Sequence, residues 1–164
     1  MVLEQLLDSF PRITGRKVTD GCAGDFPRIE GSPDFVGGLD GKALGIELAE
    51  IRGAGDAWDY YAEASRLALQ KHESYARRNL FANPIALVLH SKTPPLFDLQ
   101  DELLGLVDPD EFESTGFIEV WAVDFSDAYF SAGHPFRLAD MICFKPRATF
   151  GFHRIGDHDW KPFG

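Results

Sequence analysis

Apolar residues recur along this chain with two different periods, and the change from one to the other marks out its elements. Leu3, Leu6, Leu7 and Phe10 fall at helical spacing, so the chain is expected to open with a short amphipathic helix ended by Pro11. Residues 12–32 are rich in Gly, Asp and Pro; they predict an irregular loop with room for one short strand. The period then shortens to two. Residues 33–39 and 42–51 flank Asp40-Gly41, which predicts a β-hairpin turned at that dipeptide. Gly53 and Gly55 break the pattern, and a long helix is expected over 57–79 with Asp56 as its N-cap. The nearly continuous apolar run at 84–91 reads as a buried central strand. After Pro94-Pro95, residues 97–107 predict a second helix, and 116–125 and 140–145 predict two further strands. The stretch from Arg147 onward is expected to be peripheral. Helices alternating with strands in this mixed order predict an α/β domain, a central mixed sheet flanked by helices, spanning residues 1–164 as one unit.

Composition narrows the setting without changing the fold. No apolar run approaches the roughly 20 residues that a membrane helix needs, and the first ten residues carry Glu4 and Asp8 with no basic segment, unlike a signal peptide. Cys22 and Cys143 match no metal-ligand spacing, and two free thiols in a reducing cytoplasm are expected. A net charge of −10 makes the whole molecule repel nucleic acid and anionic membranes. Any phosphate-binding role therefore needs a local basic patch.

The hairpin carries the candidate chemistry. Counting outward from a two-residue turn places Asp34 directly opposite Glu47, and Phe35 opposite Ile46 on the other face. A four-residue loop keeps both carboxylates on one face; a three-residue loop with a bulge at Gly37-Gly38 separates them. Two opposed carboxylates require a cation between them or a shared proton. Leu44, Ile46 and Leu48 read as the core face of the second strand, while Ala43, Gly45 and Ala49 surround Glu47 with small residues that leave space. The competing structural reading is that Ala and Gly only let the long helix pack close, with Glu47 paired to an arginine.

At these residues the chain resembles the PD-(D/E)XK nuclease superfamily, whose fold is restriction-endonuclease-like. The resemblance rests on Pro33-Asp34-Phe35, on Ile46-Glu47-Leu48-Ala49 thirteen residues on, and on the order of elements around the hairpin. It implies a metal-dependent hydrolysis of phosphodiester bonds in nucleic acid. Asp34 and Glu47 would hold Mg²⁺ or Mn²⁺ with help from the main-chain carbonyl of Leu48. The family places a lysine two residues after the Glu, where this chain has Ala49, which cannot stabilise a developing charge. Lys71 is the substitute candidate, because Tyr60, Ala64, Leu67, Lys71 and Tyr75 form one stripe of the long helix. The alternative for Lys71 is to snorkel along the helix edge to water. Gln70 lies beside it, one residue off the spacing to Tyr75 found in some branches of the superfamily.

Other polar groups weigh less. Glu4 is a weaker candidate, and Glu50 alternates to the face opposite Glu47. His90 closes a strand and reads as a hydrogen-bonded strand end. The mixture of His153, Asp157, His158 and Asp159 fits no zinc spacing and reads as an exposed tail. Arg66, Lys71, Arg77 and Arg78 make the long helix the most basic element and the expected contact for nucleic-acid phosphates. A second functional reading is a catalytically inactive module on the same fold. Such an acidic regulatory subunit would bind a basic protein partner, and Ala49 and the net charge favour it.

Overall fold

A computed structural model of the chain describes residues 16, 18–20, 33–39, 42–91, 96–124, 140–145 and 149–151. The hairpin forms with the register that a two-residue turn dictates. Strand β1 (Val18–Asp20) lies antiparallel to β2 (Phe35–Leu39), which pairs antiparallel with β3 (Lys42–Glu50), Leu39 opposite Lys42 and Phe35 opposite Ile46. From β3 the chain crosses through helix α1 (Ala57–Arg77) to β4 (Ile85–Ser91), which runs parallel to β3. Parallel neighbours need such a crossover, because a tight turn can only reverse the chain. Asp56 caps α1 by accepting from the Asp59 amide at 2.8 Å. The helix stops at Arg77, two residues short of the expected end, and Asn79 adopts a left-handed conformation with φ 54°.

Helix α2 (Leu96–Leu106) and the short helix α3 (Pro109–Glu113) lead into β5 (Glu119–Asp124), parallel to β4. Strands β6 (Asp140–Lys145) and β7 (Thr149–Gly151) then extend the sheet antiparallel. Among the described residues, seven strands form one mixed sheet whose spatial order follows the sequence. The α/β class and the central mixed sheet are therefore as expected.

Three elements differ from expectation, one of them a 3₁₀ turn at Leu80–Ala82 after α1. Helix α3 was not anticipated, although Asp108 followed by Pro109 is a cap-and-first-turn signal; the Asp108 side chain accepts from the Asp110 amide at 3.0 Å. Residues 149–151, expected to be peripheral, instead pair with β6.

Both faces of the sheet are buried. The larger cluster joins Ala49, Leu87, Leu89, Val120 and Ala122 of the sheet to Tyr60, Ala64, Ala68 and Tyr75 of α1, Leu96 and Leu103 of α2, and Phe112. The other face gathers Leu44, Ile46, Val88, Trp121, Val123 and Met141 with Phe35 and Leu48. Leu44 and Ile46 are thus in a core, but the main core lies on the small-residue face. β3 is an internal strand, so it has no solvent face for alternation to reveal.

Among the described residues no helix is long and apolar enough to cross a membrane, and Cys143 is buried. The opening helix with Glu4, the Asp40-Gly41 turn, Cys22 and the segment bearing His153, Asp157, His158 and Asp159 lie outside the described residues.

Candidate functional site

Glu47 sits near the middle of the sheet with a residue exposure of 6%, an unusual place for a carboxylate. Alternation along β3 turns it, with Ala49, toward α1. Helix α1 answers with two side chains one turn apart. The Lys71 ammonium donates to Glu47 Oε1, and the Tyr75 hydroxyl donates to Oε2 at 2.5 Å. The stripe that carries Tyr60, Ala64 and Tyr75 into the core thus carries Lys71 to the same carboxylate. The close packing of the helix on the small-residue face is present, with Ala49 in its core, but Glu47 is paired to a lysine and not to an arginine, and Lys71 is tied to the sheet even though a third of its side chain is exposed (32%).

Asp34 lies one residue before β2, in an exposed bend. Its carboxylate reaches across the pair and accepts from the Leu48 amide at 2.8 Å, which fixes it beside the main chain next to Glu47. The Tyr75 hydroxyl is held protonated far above its ordinary range. Burial is the main cause, followed by the hydrogen bond to Glu47 and the negative charges of Glu47 and Asp34; the nearby Arg78 charge opposes them. Tyr75 is therefore a donor to Glu47 at any ordinary pH.

An aromatic cluster fixes Tyr75 from behind. Its ring lies 5.7 Å from Phe81 and 5.8 Å from Phe117, and Phe81 stacks on His72 at 5.4 Å. Gly116 closes this cluster. Its amide donates to His72 Nδ1 at 2.9 Å, and a Cβ there would stand 2.7 Å from the Phe81 ring.

The other expected site residues lie elsewhere. Glu50 and His90 pair in register and belong, by alternation, to the face opposite Glu47; the Glu50 carboxylate binds Arg52. Gln70 is exposed and accepts from Arg66 at 3.1 Å. The basic surface of α1 is largely neutralised from within. Arg66 donates twice to Glu63, Arg77 faces Glu73 at 3.9 Å, and Lys71 is held by Glu47. The part of the site that the sequence left unread is Tyr75 as second donor to Glu47. Its signal was the four-residue spacing from Lys71, which puts both on one face of a helix.

No group of three or more His, Cys, Asp or Glu side chains converges among the described residues. The groups expected to hold a metal, the Asp34 and Glu47 carboxylates and the Leu48 carbonyl, are by their chemistry a set of hard oxygens. That set fits Mg²⁺ or Mn²⁺, which keep waters and take substrate oxygens to complete their shell. The hydrogen bonds to Glu47 do not exhaust it, since a carboxylate has about four lone-pair sites. Comparison of the chain with protein-family models, with curated proteins and with solved structures gives no match.

Proposed function

We propose that this chain is a cytoplasmic, metal-dependent nuclease domain of restriction-endonuclease-like type that hydrolyses phosphodiester bonds in nucleic acid. One observation carries the reading: α1 delivers the Lys71 ammonium to Glu47, beside the strand position where Ala49 replaces the expected lysine. On this reading the helix would supply the cation missing from the strand. Ala49 is buried in the cluster that α1 packs on, which favours a small residue there and a cation arriving from above.

Asp34 and Glu47, with the Leu48 carbonyl, would hold Mg²⁺ or Mn²⁺. When bound, such an ion polarises a phosphate and makes water more acidic. The chain's own groups do the positioning. The Leu48 amide orients Asp34, Tyr75 orients Glu47, and Lys71 places a positive charge where the phosphate gains negative charge. Water oxygen would bond to phosphorus and give up one proton to solvent, the bond from phosphorus to the leaving oxygen would break, and that oxygen would take up one proton.

A second reading has its own support. An acidic domain whose helix arginines are paired internally, and whose motif lysine is absent, suits a non-catalytic module docking on a basic protein surface.

Incubation with labelled DNA and RNA in Mg²⁺ or Mn²⁺ separates the two. Cleavage by the wild type should disappear in Asp34→Ala. It should fall by about a hundredfold to a thousandfold in Lys71→Met, the usual effect of losing one preorganised donor. No cleavage by wild type under any of these conditions would put the docking module ahead.

A further inference from the structure

Two carboxylates in a site repel a phosphodiester, so a nuclease is served by a second cation there, besides Lys71, that can meet the substrate backbone. Charge pairing decides which residue is available. Arg16 pairs with Glu119, Arg52 with Glu50, Arg66 with Glu63 and Arg77 with Glu73, while the Lys71 ammonium is held by Glu47. Arg78 is the one arginine among the described residues with no carboxylate partner.

Its position is suited to the task. Arg78 is exposed, directly follows α1, and carries its guanidinium over the Tyr75 ring at 5.7 Å. The same Tyr75 donates to Glu47, so one aromatic side chain separates Arg78 from the buried carboxylate. Two of the five guanidinium N–H groups are used, by the Ser74 carbonyl at 3.1 Å and the Ser74 hydroxyl. These bonds and the ring fix the plane of the fork and leave the remaining donors for an incoming group. A planar, preorganised guanidinium with spare donors matches a phosphate better than a mobile ammonium does.

Resting on the nuclease reading, we infer that Arg78 is the phosphate-binding residue of this site: it takes a backbone phosphate of the nucleic-acid substrate beside the Asp34–Glu47 pair. The four-residue basic surface expected on the helix reduces to this one contact.

Fluorescence anisotropy of the full chain with a fluorescein-labelled DNA duplex, measured over a range of NaCl concentrations without divalent metal, tests this. Arg78→Gln should weaken binding about tenfold, as expected for one charge-assisted contact, and make the salt slope shallower by about one. Arg78→Lys keeps the charge and loses the fork. It should recover the slope but only part of the affinity, an outcome that a merely structural role for Arg78 would not produce. Arg52→Gln, which removes the same charge from an arginine paired with Glu50, is the control and should change binding less than twofold (an order-of-magnitude bound for a surface charge). Wild-type binding that Arg78→Gln weakens no more than Arg52→Gln does would overturn the assignment of Arg78 and leave the nuclease reading standing. Absence of binding by the wild type would likewise overturn the assignment of Arg78, while the cleavage assay decides the nuclease reading.

Discussion

A carboxylate taken out of water is unfavourable unless its charge and lone pairs are met, and Glu47 meets that requirement with one ammonium and one phenol. The size of the effect lies between two limits. Breaking a fully buried ion pair costs about 3–5 kcal/mol, and an exposed pair is worth about 0–1 kcal/mol. The Glu47 side chain is 8% exposed and that of Lys71 32%, so Lys71→Met should destabilise the fold by about 1–3 kcal/mol. Urea denaturation checks this, and the double variant Lys71→Met/Glu47→Leu should lose less than the sum of its single changes. An additive result would mean that the two groups do not interact in solution. At this scale the sequence was informative where geometry is simple. Hairpin register placed Phe35 opposite Ile46, which brings Asp34 to the neighbourhood of Glu47, and helical spacing turned Lys71 inward. It was silent on the Leu48 amide as the group that orients Asp34, because a main-chain donor leaves no mark on residue identity.

Elements here are joined by polar groups as well as by packing. The Tyr61 hydroxyl of α1 donates to Glu111 at 2.6 Å and accepts from the Asp108 amide at 2.9 Å, and Ser65 also donates to Glu111. This knot fastens α3 to α1. Burial first, and then the bond to Glu111, pushes the Tyr61 hydroxyl up to about 12, so the folded state holds its proton more tightly than the unfolded chain does. The stability that this provides is fully present below pH 10, the unfolded value, and is lost as pH rises from about 10 toward 12. Burial also raises Tyr60 and Tyr75, so alkaline loss is shared among the three. Tyr61→Phe should therefore make the fall of stability above pH 10 shallower by about 1.4 kcal/mol per pH unit, without abolishing it. Urea midpoints between pH 8 and about 11.5 give the comparison, and equal slopes in both proteins would show that the hydroxyl does not hold its proton in the fold. The order of elements was legible because each long run has one period. Helix α3 was not, since five residues cannot display a helical repeat and its Asp-Pro signal also fits a turn.

For the whole molecule, the net charge of −10 was plain from composition, whereas the pairing of those charges was not. Pairing changes the expected binding more than the total does. Proteins that make 6–10 phosphate contacts lose about 10³–10⁵ in affinity between 50 and 200 mM salt. With Arg66, Arg77 and Lys71 engaged internally, the described residues should make only about one or two such contacts, which by themselves give a slope of about −1 to −2 and a loss of roughly three- to twelvefold over that range. The overall negative charge adds a second feature. The screening length grows from about 8 Å at 0.15 M salt to about 30 Å at 0.01 M. At the lower concentration the molecule-wide repulsion reaches a bound duplex, while the Arg78 contact gains little. Affinity should then stop rising as salt falls below about 0.03 M, where a basic nucleic-acid binder would continue to tighten. Anisotropy from 0.01 to 0.3 M NaCl measures both features. A straight line steeper than about −4 would mean that the ion pairs on α1 open to the substrate or that other basic residues gather phosphates. The single-arginine interface would then be replaced by a distributed one.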